Sequence, residues 1–169
     1  MRYIMLAVAL SAVPAAAQEQ APGPETPWRY FEPEGGTIQA GVVNAQGAQL
    51  LLKCDKPGED QVYAVVVSPE KLVPPSNDPF VNRALEMRFD AGAPFEDRWR
   101  YYEQLVVAID QKPTIALTRF LTRLADASKF HIRMHPEHAR YVEAEFEVTG
   151  ARDAIARVYA SCRDENPLS

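Results

Sequence analysis

The chain has 169 residues, 47% of them hydrophobic, with 23 acidic against 18 basic side chains and a net charge of −5. That balance argues against a nucleic-acid partner, for which a basic face is expected, and no polybasic run is present for anionic lipid. The length suits one ordinary domain with its own core, which two cysteines need not frame.

The opening MRYIMLAVALSAVPAAAQEQ has the three parts of an export signal. Arg2 gives a positive start, Tyr3 to Val13 an apolar stretch, and Ala15-Ala16-Ala17 a small-residue cleavage site. The stretch is shorter than the roughly 20 apolar residues of a bilayer span. Residues 1–17 are therefore expected to be removed as a signal peptide, giving a periplasmic or secreted product with no stable membrane anchor. Residues 18–27, QEQAPGPETP, read as a disordered Pro-rich lead-in. A single domain is expected over 28–165.

Structure is expected to begin at Trp28. Turns at Glu34-Gly35-Gly36 and Gln46-Gly47 bound strands over Thr37–Val43 and Gln49–Cys54, and "VYAVVV", Val62–Val67, is a β-branched central strand. "SPEKLVPPSNDP" is an irregular crossing. Leu85, Met87 and Phe89 alternate with Glu86, Arg88 and Asp90, as a half-buried strand does. Arg98–Tyr102 and Leu105–Ile109 are further extended runs. Pro113 suits the first turn of a helix, whose apolar stripe is Leu117, Phe120, Leu121 and Leu124.

The segments 129–135 and 141–148 alternate in complementary fashion. Centring a hairpin on His138 sets Met134, Ile132 and Phe130 against Val142, Ala144 and Phe146 on one face. The same register sets Arg133 against Glu143, His131 against Glu145 and Lys129 against Glu147 on the other. A one-residue slip would spoil both faces, so the register is strongly specified.

After Val148 the period becomes helical. Ala151, Ala154, Ile155, Val158, Tyr159 and Cys162 share a stripe, with Thr149 or Gly150 at its start. Cys54 shares a strand face with Leu50 and Leu52. Both sulfurs point inward by pattern, so a bridge from the last helix to an early strand is the economical reading, with two separate buried thiols as the alternative.

Candidate chemistry is thin. His131, His135 and His138 suggest a metal site, but His131 and His135 would lie about 13 Å apart along a strand, and Glu145 accounts for His131. Trp99 and Tyr101, among Arg98 and Arg100, have the composition of a stacking platform for sugars, although on a strand such a pair is more often core. Glu96 and Asp97 point apart on a strand, unlike the paired carboxylates of a glycosidase. There is no nucleophile elbow, no C-x-x-C and no Gly-rich phosphate loop. No catalytic residue, cofactor or metal is expected.

"LLLKC", "MRFD" followed by Trp99, "ALTRFLTRLADA" and "AEFEVTGARDAIARVYASC" occur in an order that resembles the periplasmic proteins associated with type VI secretion, the TagO/VasI group, and more distantly the invasion-associated locus B proteins. The resemblance spans 28–162. It implies a mainly β (α+β) fold: an antiparallel β-sandwich with two appended helices, the last pinned by a Cys54–Cys162 bridge. It implies structural roles for Trp28, Arg88, Asp90, Trp99, Phe146, Gly150 and Ala154. The expectation is an exported, non-catalytic adaptor that binds a periplasmic protein or envelope component. The alternative is a protein acting on envelope glycans through Trp99.

Overall fold

The computed structural model describes residues 27–32, 36–59, 61–75, 80–137 and 140–169. The expected signal segment, nearly all of the expected lead-in, Glu34 and Gly35 of the expected first turn, residues 76–79 of the crossing and His138 lie outside the described residues. The first strands are β1 (Arg29–Phe31), β2 (Ile38–Val43), β3 (Gln49–Cys54) and β4 (Val62–Val67). After the crossing come β5 (Val81–Phe89), β6 (Phe95–Tyr102) and β7 (Leu105–Ala108), and then a small ribbon of β8 (Asp110–Gln111) and β9 (Thr114–Ile115). Helix α1 (Ala116–Leu124), β10 (Lys129–Met134), β11 (Val142–Glu147) and α2 (Ala151–Cys162) complete the fold.

Nine strands form one antiparallel sheet in the order β1-β2-β3-β4-β7-β6-β5-β10-β11. The fold is mainly antiparallel β with two helices, the last pinned by a disulfide, as expected. The facing layers of the expected sandwich belong to a single sheet that curls until its two ends meet. Asn44, after β2, donates from Nδ2 to the Glu145 carbonyl of β11 at 3.2 Å, and the Trp28 indole N–H donates to the Val148 carbonyl at 3.2 Å. The crossing from β4 to β5 skips two places, which β6 and β7 then fill by returning as hairpins, a Greek-key arrangement. Its residues Leu72 and Val73 are buried, and both donate backbone N–H groups to the carbonyl of Glu103 in the β6–β7 turn. The crossing thus plugs one end of the curled sheet.

Period-two alternation decides what lies inside. Ile38, Ala40 and Val42 of β2, Leu50, Leu52 and Cys54 of β3, and Phe130, Ile132 and Met134 of β10 are all buried. The apolar stripes of both helices pack on this concave side. Phe120 of α1 meets Trp99 of β6 edge-on at 5.0 Å and Phe130 of β10 at 5.1 Å. Burying an aromatic of that size stabilises by about 1.5–3 kcal/mol. Gly150 stands at the start of α2 with φ 86, a left-handed conformation that a Cβ would oppose. Cys162, at the other end of the helix, is bonded to Cys54 with a Cα–Cα distance of 6.0 Å. The bridge closes 108 residues, worth about 4–5 kcal/mol in the chain-entropy model.

Two local expectations change. Pro113 does not open the helix. It sits, after a cis Lys112–Pro113 peptide, in the turn between β8 and β9, three residues before α1 begins. In place of a side-chain cap at its own N-terminus, α1 has the carboxylate of Asp110, which accepts from the Thr118 backbone N–H and from its hydroxyl. Strand β5 also starts four residues earlier than the alternation 85–89 suggested, because Val81–Ala84 continue the ladder with β6.

Candidate functional site

The residues singled out in the sequence fall into three groups. The first builds the frame. Trp28 and Phe146 are buried, the latter stacked on Phe130 at 6.1 Å, and Ala154 is fully enclosed on α2. Asp90 joins two strands: its Oδ1 accepts from the backbone N–H groups of Ser128 and Lys129 at 3.0 and 2.9 Å, while its own N–H donates to the Lys129 carbonyl. It does so with φ 48, a left-handed conformation that Asp tolerates better than most residues.

Charged pairs of the last hairpin form the second group. The register sets Lys129 opposite Glu147, His131 opposite Glu145 and Arg133 opposite Glu143. Side-chain contacts are partly diagonal. Arg133 takes Glu143 at 2.8 Å and also Glu86 of β5 at 3.1 Å; Lys129 takes Glu147 at 3.1 Å and Glu145 at 3.5 Å. His131 therefore has Glu143, at 3.8 Å, as its nearest carboxylate rather than the facing Glu145. The hydrogen bond to Glu143 raises the Arg133 pKa, and the one to Glu147 raises that of Lys129. Arg88 lies exposed beside His131 on the next strand. This outer face is a lattice of alternating charge.

Trp99 and Tyr101 make the third group, and here the expectation of a binding platform is corrected. Trp99 is 1% exposed and Tyr101 is fully buried, because both occupy the inward positions of β6. The Tyr101 hydroxyl accepts the His135 backbone N–H, and burial raises its pKa. A sugar ring cannot stack on either. Between them and α1, Asp97 is the one charged side chain among the buried described residues; its Oδ1 accepts from the Arg98 backbone N–H at 2.8 Å and from Arg119 at 2.7 Å.

The surface that differs from ordinary solvated sheet is elsewhere. On the outer face, Gly41, Leu51, Val65 and Val107 stand directly opposite one another across β2, β3, β4 and β7, and Arg100 of β6 continues that row. The neighbouring row is Val43, Gln49, Val67, Leu105 and Tyr102. The ends of that row are open, Val43 at 67% and Tyr102 at 43% exposure. Gly41 is needed here, since a Cβ would fall 2.3 Å from Cδ2 of Leu51, which lies across it. Both helices occupy the concave side, and among the described elements none covers this band. Sequence reasoning passed over it, although the signal was present: "LLLKC", "VYAVVV" and "LVVA" are apolar at outward as well as inward positions, where a half-solvated strand alternates.

Of the described His, Cys, Asp and Glu side chains, only Cys54, Cys162 and Asp164 bring three metal-type donors within 4.8 Å, and both sulfurs are in the disulfide. No helix among the described residues is long and apolar enough to cross a membrane. Comparison with protein-family models, with curated proteins and with solved structures finds no match to this chain.

Proposed function

We propose that this chain is an exported, non-catalytic adaptor of the cell envelope, which binds a protein or other envelope component through the outer face of β2, β3, β4 and β7. The observation that carries the reading is the pair of largely apolar rows on that face, half-buried at Leu51, Val67, Leu105 and Val107 and open at Val43 and Tyr102. Contiguous outward-facing apolar side chains of this kind are what binding surfaces have and what solvated faces lack. Export is supported by the tripartite N-terminal pattern and by the bridged cysteines, a bond that persists in oxidising compartments. Association with a secretion apparatus, which the resemblance to type VI secretion proteins implies, is the specific form of this proposal.

Two experiments test it. When the full chain is expressed and the cells are fractionated, the product should lack residues 1–17 and lie outside the cytoplasm. Unprocessed protein retained in the cytoplasm would remove the export half of the reading. For the binding half, Val67→Glu combined with Leu105→Lys puts an opposite-charge cross-strand pair on the outer face at two positions outside the core. The double variant should melt like the parent and lose the cell-envelope partner that in situ crosslinking captures with the parent. If it keeps every crosslinked product, the binding surface lies elsewhere.

A further inference from the structure

Where the C-terminal tail crosses α2, the chain forms a half-open cleft of about 160 Å³. Asp110, Asp164 and Glu165 line it, and no lysine, arginine or histidine does. Two of these carboxylates are held in place: Asp110 accepts from Thr118, and Asp164 Oδ2 accepts the Gln61 backbone N–H at 3.0 Å. An acidic cluster alone would carry little. The second observation is Tyr159, which lines the same cleft and is only 6% exposed. Its hydroxyl makes no hydrogen bond among the described residues and is not sealed from solvent, so it stands as an open donor and acceptor on the cleft wall. Burial first, then the charges of Asp110 and Asp164, raise its pKa far above the usual phenol range. At neutral pH it is an uncharged phenol facing negative charge, and a donor-rich cation would satisfy both.

The chemistry narrows the cation. The three carboxylates do not converge within 4.8 Å as a metal set would, so a cation in the cleft would meet at most two of them together with the Tyr159 oxygen. The cleft is smaller than the roughly 300–1,000 Å³ of sites for drug-sized ligands. Val62, Leu117 and Pro167 supply apolar wall, which suits an aliphatic stem. Carboxylates on separate walls match a compact ammonium with three divergent donors better than a planar guanidinium, which prefers two oxygens of one carboxylate. We infer that this cleft binds a primary ammonium on an apolar stem, the end of a lysine side chain presented by a partner. The inference concerns a different surface from the outer apolar rows, so either can fail without the other.

The test uses the isotopically labelled, disulfide-bonded chain, titrated by NMR with N-acetyl-lysine N-methylamide and with its uncharged Nε-acetylated counterpart. The charged probe alone should shift the amide signals of Leu117, Thr118, Tyr159 and Glu165. Glu165→Gln and Tyr159→Phe, both conservative, should each weaken that binding roughly tenfold, as loss of a charge-assisted hydrogen bond does. Equal response to the acetylated probe, no localised shifts at millimolar probe, or unchanged binding by both variants would each overturn the inference.

Discussion

The two outer faces of this one sheet have opposite character. Across β5, β10 and β11 the solvent side is a lattice in which Glu86, Arg133 and Glu143 join three strands and Lys129 sits between Glu145 and Glu147. Across β2, β3, β4 and β7, Leu51, Val65, Val67, Leu105 and Val107 occupy the corresponding outward positions. Both halves contribute side chains to one hydrophobic core, so the contrast is not a demand of folding. A face that satisfies its own charges has little left to offer a partner. The apolar half gains by being covered, and the charged half does not.

The two halves should separate most sharply at alkaline pH. Burial raises the pKa of Tyr63 on β4, Tyr101 on β6 and Tyr159 on α2, with Asp55 adding to the effect at Tyr63. A folded pKa above the unfolded value of 10.0 means that each contribution is present below pH 10 and is lost as pH rises beyond it. Lys129 is shifted upward from 10.5, so its pairing in the charged half persists to higher pH. These phenols should ionise only together with loss of the far-UV signal, as cooperative unfolding. Smooth tyrosinate formation with the fold intact would show that they are solvated.

Next in size is the disulfide, which ties α2 to β3 in the apolar half. Cys54→Ser with Cys162→Ser should cost up to about 4–5 kcal/mol in a denaturant titration. Hydrogen exchange should accelerate first in β2, β3 and α2 and later in β10 and β11. Uniform acceleration would mean that the two halves open as one unit.

The charged half was legible in the sequence because two independent patterns agreed on it. Apolar alternation and charge alternation both demanded the pairing of Lys129 with Glu147 through to Met134 with Val142. The cysteines were legible for a similar reason: the helical stripe fixed the direction of Cys162 and the strand period that of Cys54. The strand order was not. Placement of β7 between β4 and β6 depends on contacts far apart in sequence, and no local period encodes it. Trp99 was ambiguous because alternation gives a residue's face without saying which face is inside. The acidic cleft joins residues around 62, 110, 118, 159 and 165, so only the folded chain assembles it.

A smaller effect probes the apolar face directly. In Gly41→Val the new side chain meets Leu51 Cδ2 and comes within about 3 Å of the Leu50 carbonyl oxygen. Leu51 must swing outward, at a cost of about 1–3 kcal/mol typical of overpacking. The expected signature is a lower denaturation midpoint with increased binding of a hydrophobic dye. A stability equal to the parent's would mean that Leu51 was already mobile and that the band is less ordered than its register implies.

The smallest change in stability should come from the charged half. Glu143, Glu145 and Glu147 lie on the last strand of the sheet, whose free edge is only partly met by Asn44. Exposed ion pairs contribute little because solvent and salt screen them. Glu143→Thr, Glu145→Thr and Glu147→Thr together should therefore leave the denaturation midpoint unmoved, threonine being a good strand residue. What should change is association. Acidic side chains along an edge strand disfavour pairing with another edge, so the triple variant should sediment as dimers or larger species where the parent is monodisperse. If it stays monodisperse, the closing contacts between β11 and β2 already protect the edge. The charges would then serve solubility alone, and the asymmetry between the two faces would come entirely from the apolar one.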